Sequence, residues 1–146
     1  MAEAKGNAAF SSGDFTTAIT HFTEAITLAP TNHVLFSNRS AAHASLHQYA
    51  EALSDAKETL KLKPYWTKGY SLLGAAYLGL NQFELAVTAY KKGLDIDPTN
   101  EALRSGLVDA EASVSSSSGM VLCNLDYPFG IPDKVGINEK KISKYF

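Results

Sequence analysis

The chain reads as all-α: three antiparallel helical pairs stacked side by side and closed by one further helix. Two residue columns carry that reading first. Pro30, Pro64 and Pro98 stand 34 residues apart, and Ala18, Ala52 and Ala86 keep the same spacing twelve positions earlier. Four more columns share the register: Phe15, Tyr49, Phe83; Phe22, Ala56, Tyr90; Leu28, Leu62, Ile96; and Gly6, Ser40, Gly74. Chance could align one column, but six in a single register mark an internal repeat.

A period of 34 residues is the signature of the tetratricopeptide repeat, a helix–turn–helix unit. The predicted architecture is three tetratricopeptide repeats plus a C-terminal capping helix, wound as a right-handed α-solenoid with a concave groove. The repeats occupy residues 1–32, 33–66 and 67–100, and the first lacks two positions ahead of Met1.

In the first unit, Gly6 suits close helix packing and Gly13 suits the turn between helices. The second unit predicts helix A from His33 to Ser45, a turn at His47-Gln48, and helix B from Tyr49 to Lys61. Ala52 is small enough for the two backbones to approach, while the aromatic column fills the space between units. Pro64 stops helix B, because proline lacks an N–H and disfavours helix in the residue before it. Gly74, Ala86 and Pro98 place the same features in the third unit. One such pair cannot bury its apolar face alone, so about three must stack and an end helix must close the stack. Residues 101–113 supply that helix, with Leu103, Leu107 and Ala110 on one stripe and the acidic residues facing mostly away. Residues 1–113 are thus one domain.

Beyond it the composition changes. Ser115 to Ser118 form a serine run ending at Gly119, which reads as a linker. Residues 114–146 are expected to be linker and disordered tail, with Pro128, Pro132 and a basic end, Lys140-Lys141-Ile142-Ser143-Lys144. Tyr127-Pro128-Phe129 is the tail's candidate docking patch.

With 146 residues, 45% hydrophobic and 19% charged, the chain can bury the core of one small domain. Its net charge of −2 leaves no basic excess to neutralise phosphates, which argues against nucleic acid as the main partner. The single cysteine, Cys123, has no internal disulfide partner and points to a reducing compartment. No apolar run approaches the roughly 20 residues of a membrane span. The opening Met1-Ala2-Glu3-Ala4-Lys5 is not a signal peptide. The expectation is a soluble protein, cytoplasmic or nuclear, with no membrane partner and monomeric because a polar cap leaves little apolar surface to pair.

Catalytic machinery is not expected. His43 falls in a helix A packing column, His47 in the turn, and His21 and His33 on helix surfaces; none has the spacing of a metal site. The glycines follow the repeat and build no phosphate loop, and Ser37 to His43 are helix neighbours without a strained turn. The reading is a binding module with no cofactor, no metal and no catalytic residue.

Solenoids bind extended ligands in the concave face, which the A helices line. Repeat positions 2, 5, 6, 9, 12 and 13 are expected to face it. They give Val34, Ser37, Asn38, Ala41, Ala44 and Ser45 in the second unit, and Lys68, Ser71, Leu72, Ala75, Leu78 and Gly79 in the third. The first unit contributes Glu3, Asn7, Phe10 and Ser11. Small residues leave room for a peptide, and Asn7, Asn38 and Lys68 converge as polar groups. Two amides and an ammonium can donate to a carboxylate, and such charge-assisted contacts contribute about 1.5–3 kcal/mol each. The alternative is that these are ordinary solvated surface groups, with a generic scaffold recognising its partner through the apolar groove around Phe10, Leu72 and Leu78.

The stretch Asn32-His33-Val34-Leu35-Phe36-Ser37-Asn38-Arg39-Ser40-Ala41-Ala42, with Leu62-Lys63-Pro64-Tyr65-Trp66-Thr67-Lys68-Gly69-Tyr70-Ser71, resembles the first repeat domain of the heat-shock organising co-chaperones. Ala44-Ser45-Leu46 and Leu73-Gly74-Ala75-Ala76 are most similar to plant members, and the resemblance covers about residues 4–113. It implies an adaptor that holds the C-terminal Glu-Glu-Val-Asp tails of HSP70 and HSP90 chaperones in a two-carboxylate clamp. Asn7, Asn38 and Lys68 match clamp positions, whereas Glu3 stands where the family has lysine and Leu72 where it has arginine. Losing two charge-assisted donors forfeits about 3–6 kcal/mol before compensation. Lys5 is a poor substitute, since two residues along a helix is about 200° around it. The expectation is a recognisable but weakened clamp. Family members carry further repeat blocks that bridge two chaperones; the single block read here would bind one tail, without the gain in effective concentration that bridging brings.

Overall fold

The computed structural model describes residues 2–125. They form seven α-helices in chain order: α1 (Ala2–Ser11), α2 (Phe15–Leu28), α3 (His33–Ser45), α4 (Tyr49–Leu62), α5 (Thr67–Gly79), α6 (Phe83–Ile96) and α7 (Glu101–Leu125). The three predicted pairs are α1–α2, α3–α4 and α5–α6.

Local chemistry sets the boundaries. Asp14 caps α2 by accepting from the Thr17 N–H at 3.2 Å, and Asn32 caps α3 by accepting from Val34 N–H at 3.0 Å. At the other end, α2, α4 and α6 each stop two residues before Pro30, Pro64 and Pro98. The residues preceding those prolines, Ala29, Lys63 and Asp97, all leave the helical region, with φ of −139°, −140° and −138° and ψ of 72°, 80° and 89°. The turns within pairs use Gly13, His47 and Asn81, 34 residues apart and all left-handed, with φ of 86°, 60° and 62°. Three residue types share one backbone conformation there, which the sequence column alone does not display.

Between helices the columns interlock. The ring of Phe22 lies against Gly6, where an added Cβ would stand 2.6 Å from it, and Tyr90 lies against Gly74 at 2.5 Å. In the middle unit helix B has the small Ala56 instead, and helix A has Ser40, whose buried hydroxyl donates to the Ala52 carbonyl at 2.8 Å. A bulky residue on one helix is thus matched by none on its partner. Ala18, Ala52 and Ala86 are buried, as close backbone approach requires. The aromatic Phe22 and Tyr90 anchor two core clusters, one with Ala18, Ala25 and Leu35, the other with Ala86, Leu103 and Ala110. Leu103 and Ala110 come from α7, so the predicted capping stripe does close the stack.

Curvature follows from which helices touch. Each helix packs on its sequence neighbours, and α1, α3, α5 and α7 also approach one another in series, whereas α2, α4 and α6 do not. A stack whose first helices meet while its second helices stand apart bends with the first helices inside. The concave face is therefore built from α1, α3 and α5.

The end of the stack differs from the sequence reading. α7 does not finish at Ser113 before a linker; it runs through Ser115–Ser118 to Leu125. Serine costs only about 0.5 kcal/mol per residue relative to alanine in a helix, and no glycine or proline intervenes between Leu107 and Ser118. Ser113, Val114 and Ser115 are half-buried, so packing sustains the extension. The expected disordered tail and the Tyr127-Pro128-Phe129 patch lie outside the described residues. No helix among the described residues is long and apolar enough to cross a membrane.

Candidate functional site

Asn7 and Asn38 meet across the inner face. The Asn38 Nδ2 donates to Asn7 Oδ1 at 3.4 Å, linking α1 to α3. The bond uses one of Asn38's two amide protons and leaves both of Asn7's free for a ligand. Lys68 stands in the first turn of α5, the next helix along this face, and is exposed. Its ammonium lies 5.9 Å from the centre of the Trp66 ring and makes no hydrogen bond to either asparagine. Glu3 is four residues before Asn7 and Leu72 four after Lys68, a spacing that puts each on the same helix face as its counterpart; both are half-buried.

The expected lining residues divide by exposure. Phe10 is half-buried and packs edge-to-face on Phe15 at 5.1 Å. Ala41 and Ser71 are half-buried; Ser45 and Ala75 are exposed, and the Ser45 hydroxyl donates to the Ala41 carbonyl at 3.0 Å. Other expected groove positions face packing: Leu78 lies against the Tyr90–Leu103 cluster, Gly79 abuts the Tyr49 ring of α4, and Ser37 turns inward. Ser37 is fully buried and donates to the Val34 carbonyl at 2.7 Å, so it faces the packing of α3 rather than the open face.

The floor under Asn38 is stiffened by its neighbour. Arg39 donates from Nε and Nη2 to the two oxygens of Asp55 on α4, both at 2.8 Å, and from Nη1 to Thr23 Oγ1 on α2 at 3.0 Å. Hydrogen bonding to Asp55 raises the Arg39 pKa above its ordinary value, so the guanidinium stays charged. One side chain thereby ties three helices and fixes the rotation of α3. His43 stands beside this pair, its Nε2 3.8 Å from Asp55 and its Nδ1 2.8 Å from Gln48 Oε1, in keeping with a packing column. His33 is not a bare surface group: its ring meets Trp66 edge-on, with centroids 4.6 Å apart. The sequence reading missed both the Arg39–Asp55 pair and the Trp66 cluster. A tryptophan two residues ahead of the groove lysine was the available signal for the second; nothing in the spacing of Arg39 and Asp55 announces the first. A separate shallow hollow, lined by Asn81, Gln82, Phe83, Glu84, Leu85, Val114 and Ser117, lies where α6 starts against α7 and shares no residue with this face.

Three stacked helical pairs, with α1, α3 and α5 forming the inner face, define a helical repeat domain as the class of protein. The tetratricopeptide repeat profile matches residues 3–32 and 67–100. Hsp70-Hsp90 organizing protein 1 of Arabidopsis thaliana is 90% identical over 116 residues, covering 80% of this chain and 20% of that protein. Among solved structures, the first TPR domain of human RPAP3 superposes with a TM-score of 0.77 at 32% identity, covering 80% of this chain and 92% of that one. The first TPR of Spaghetti (RPAP3), solved bound to the HSP90 peptide SRMEEVD, gives 0.75 at 32% identity and covers 78% and 90%. The chain belongs to the tetratricopeptide repeat family and carries the repeat domain of the Hsp70-Hsp90 organizing proteins. It spans about a fifth of the length of the first such relative, 20%.

Proposed function

We propose that the face formed by α1, α3 and α5 binds the acidic C-terminal tail of HSP70 or HSP90 chaperones, making this chain a non-catalytic co-chaperone adaptor module. The observation that carries the reading is the Asn7–Asn38 amide pair, 3.4 Å apart, which joins α1 to α3; the exposed Lys68 of α5 is read as its charged partner. A carboxylate placed between them receives neutral donors from one side and a charged donor from the other. The peptide-bound relative, whose ligand ends Glu-Glu-Val-Asp, supports the same class of ligand.

Glu3 and Leu72 make the clamp a partial one. Glu3 sets a negative charge one turn from Asn7, and Leu72 offers no donor one turn from Lys68. Affinity is then weaker than a fully charged clamp would give. Fluorescence anisotropy with a labelled peptide ending Glu-Glu-Val-Asp, against the same peptide C-terminally amidated, tests the reading. Weaker binding of the amidated form is expected. Equal binding of both would assign the groove to apolar recognition around Phe10, Leu72 and Leu78 instead.

A further inference from the structure

Lys68 is the one cationic side chain in the proposed site, and an exposed lysine ordinarily sweeps through many rotamers that a ligand must freeze out. Here the sweep is limited by a neighbour. Trp66 precedes α5, and its backbone is held on both sides: its N–H donates to the Lys63 carbonyl at 3.2 Å, and its own carbonyl accepts from Gly69 at 3.0 Å. Its ring is fixed against α3 by the edge of His33, with centroids 4.6 Å apart and planes at 87°. The half-buried indole then presents a face to the Lys68 ammonium at 5.9 Å, inside the range at which a cation is attracted to an aromatic ring. Among the described residues no carboxylate lies within ion-pair distance of Lys68 to compete for it.

We propose that Trp66 is a positioning residue for the groove: its ring, braced by His33, pre-orients the Lys68 ammonium that receives the ligand carboxylate. The inference rests on the carboxylate-binding reading above. It adds a residue outside the amide and ammonium set and a physical route by which it acts. A charge already held near its working place loses less conformational entropy on binding. Because a carboxylate bound to this ammonium changes the electrostatic field at the adjoining indole, the emission of Trp66, the only tryptophan in the chain, senses the event.

A double-mutant cycle tests this, using anisotropy with the free-acid Glu-Glu-Val-Asp peptide on the whole chain and on Trp66→Ala, Trp66→Phe, Lys68→Met and Trp66→Ala/Lys68→Met. Trp66→Ala is expected to weaken binding about two- to fivefold, the weight of an exposed cation–π contact, and Trp66→Phe to restore most of it. In the Lys68→Met background the Trp66→Ala change should have no further effect, and the tryptophan emission change on peptide saturation should vanish in Lys68→Met itself. An equal loss from Trp66→Ala in both backgrounds overturns the proposal, because Trp66 would then act independently of Lys68. Trp66→Phe guards against misfolding, since it keeps an aromatic ring against His33. If the unmodified chain fails to distinguish free-acid from amidated peptide, the carboxylate reading fails. If it distinguishes them and the cycle is additive, only the positioning role of Trp66 fails.

Discussion

The ring of Tyr90 occupies the space that a side chain on Gly74 would need: an added Cβ would stand 2.5 Å from the ring, while Gly106 of α7 faces the same ring. Tyr90 is therefore clasped between α5 and α7, and its position is what closes the third pair against the cap. Two effects compete in Gly74→Ala. Alanine gains about 1 kcal/mol of helix propensity over glycine, but overpacking against a ring that cannot retreat costs about 1–3 kcal/mol. With glycine on both sides of the ring, the steric term wins. Urea denaturation should show a net loss of up to about 2 kcal/mol for Gly74→Ala; a stabilised variant would show that the ring can move.

Burial first, and the Asp109 carboxylate second, push the Tyr90 phenol up to about 12. An unfolded tyrosine ionises near pH 10. Between about pH 10 and 12 the unfolded chain has released a proton that the folded chain still holds, so stability falls as pH rises through that window. Below pH 10 both states are protonated and this group contributes no slope. Urea midpoints of wild type and Tyr90→Phe, compared at pH 9 and pH 11, should differ more at pH 11, with the phenylalanine variant retaining more of its stability. A constant difference would mean that Tyr90 ionises normally.

Arg39 and Asp55 form a two-pronged pair whose carboxylate side chain is only 5% exposed. Arg39→Met strands that carboxylate. Removing one partner of a buried pair costs about 3–5 kcal/mol, and since the guanidinium is itself partly exposed the lower end, about 3 kcal/mol, is expected. Arg39→Lys keeps the charge but loses the fork, and should fall between wild type and Arg39→Met. Thermal unfolding followed by circular dichroism ranks the three. If Arg39→Lys matches wild type, the two-pronged geometry is not what ties α3 to α4.

In the groove, Glu3→Lys with Leu72→Arg should tighten free-acid peptide binding at least tenfold. Each new charge-assisted contact is worth about 1.5–3 kcal/mol, and every 1.4 kcal/mol is a factor of ten. The gain should shrink as salt is raised and be small for the amidated peptide. No gain at low salt would remove Glu3 and Leu72 from the binding face.

The residues that the sequence made legible share one property: each acts through local chemistry or through strict periodicity. Pro64 stops α4 within its own turn, and the small and aromatic columns repeat because each unit packs on the next in the same way. The misreadings have local causes too. Ser115–Ser118 looked like a linker by composition, yet serine tolerates helix and the half-buried Ser113, Val114 and Ser115 carry α7 onward. Repeat position assigns Ser37 to the groove, but its side chain turns back to the Val34 carbonyl and into the packing.

By itself, the sequence determined the repeat and the pairing of helices. The period and the short-range signal of the prolines suffice for that. Tertiary structure alone decided that Asn7 bonds Asn38 across two helices, that Arg39 locks onto Asp55, and that Lys68 rests near an indole braced by His33. Those contacts join residues from different units or different helices. They depend on curvature and rotamers, which are settled only when the whole stack packs and each side chain competes for the same space.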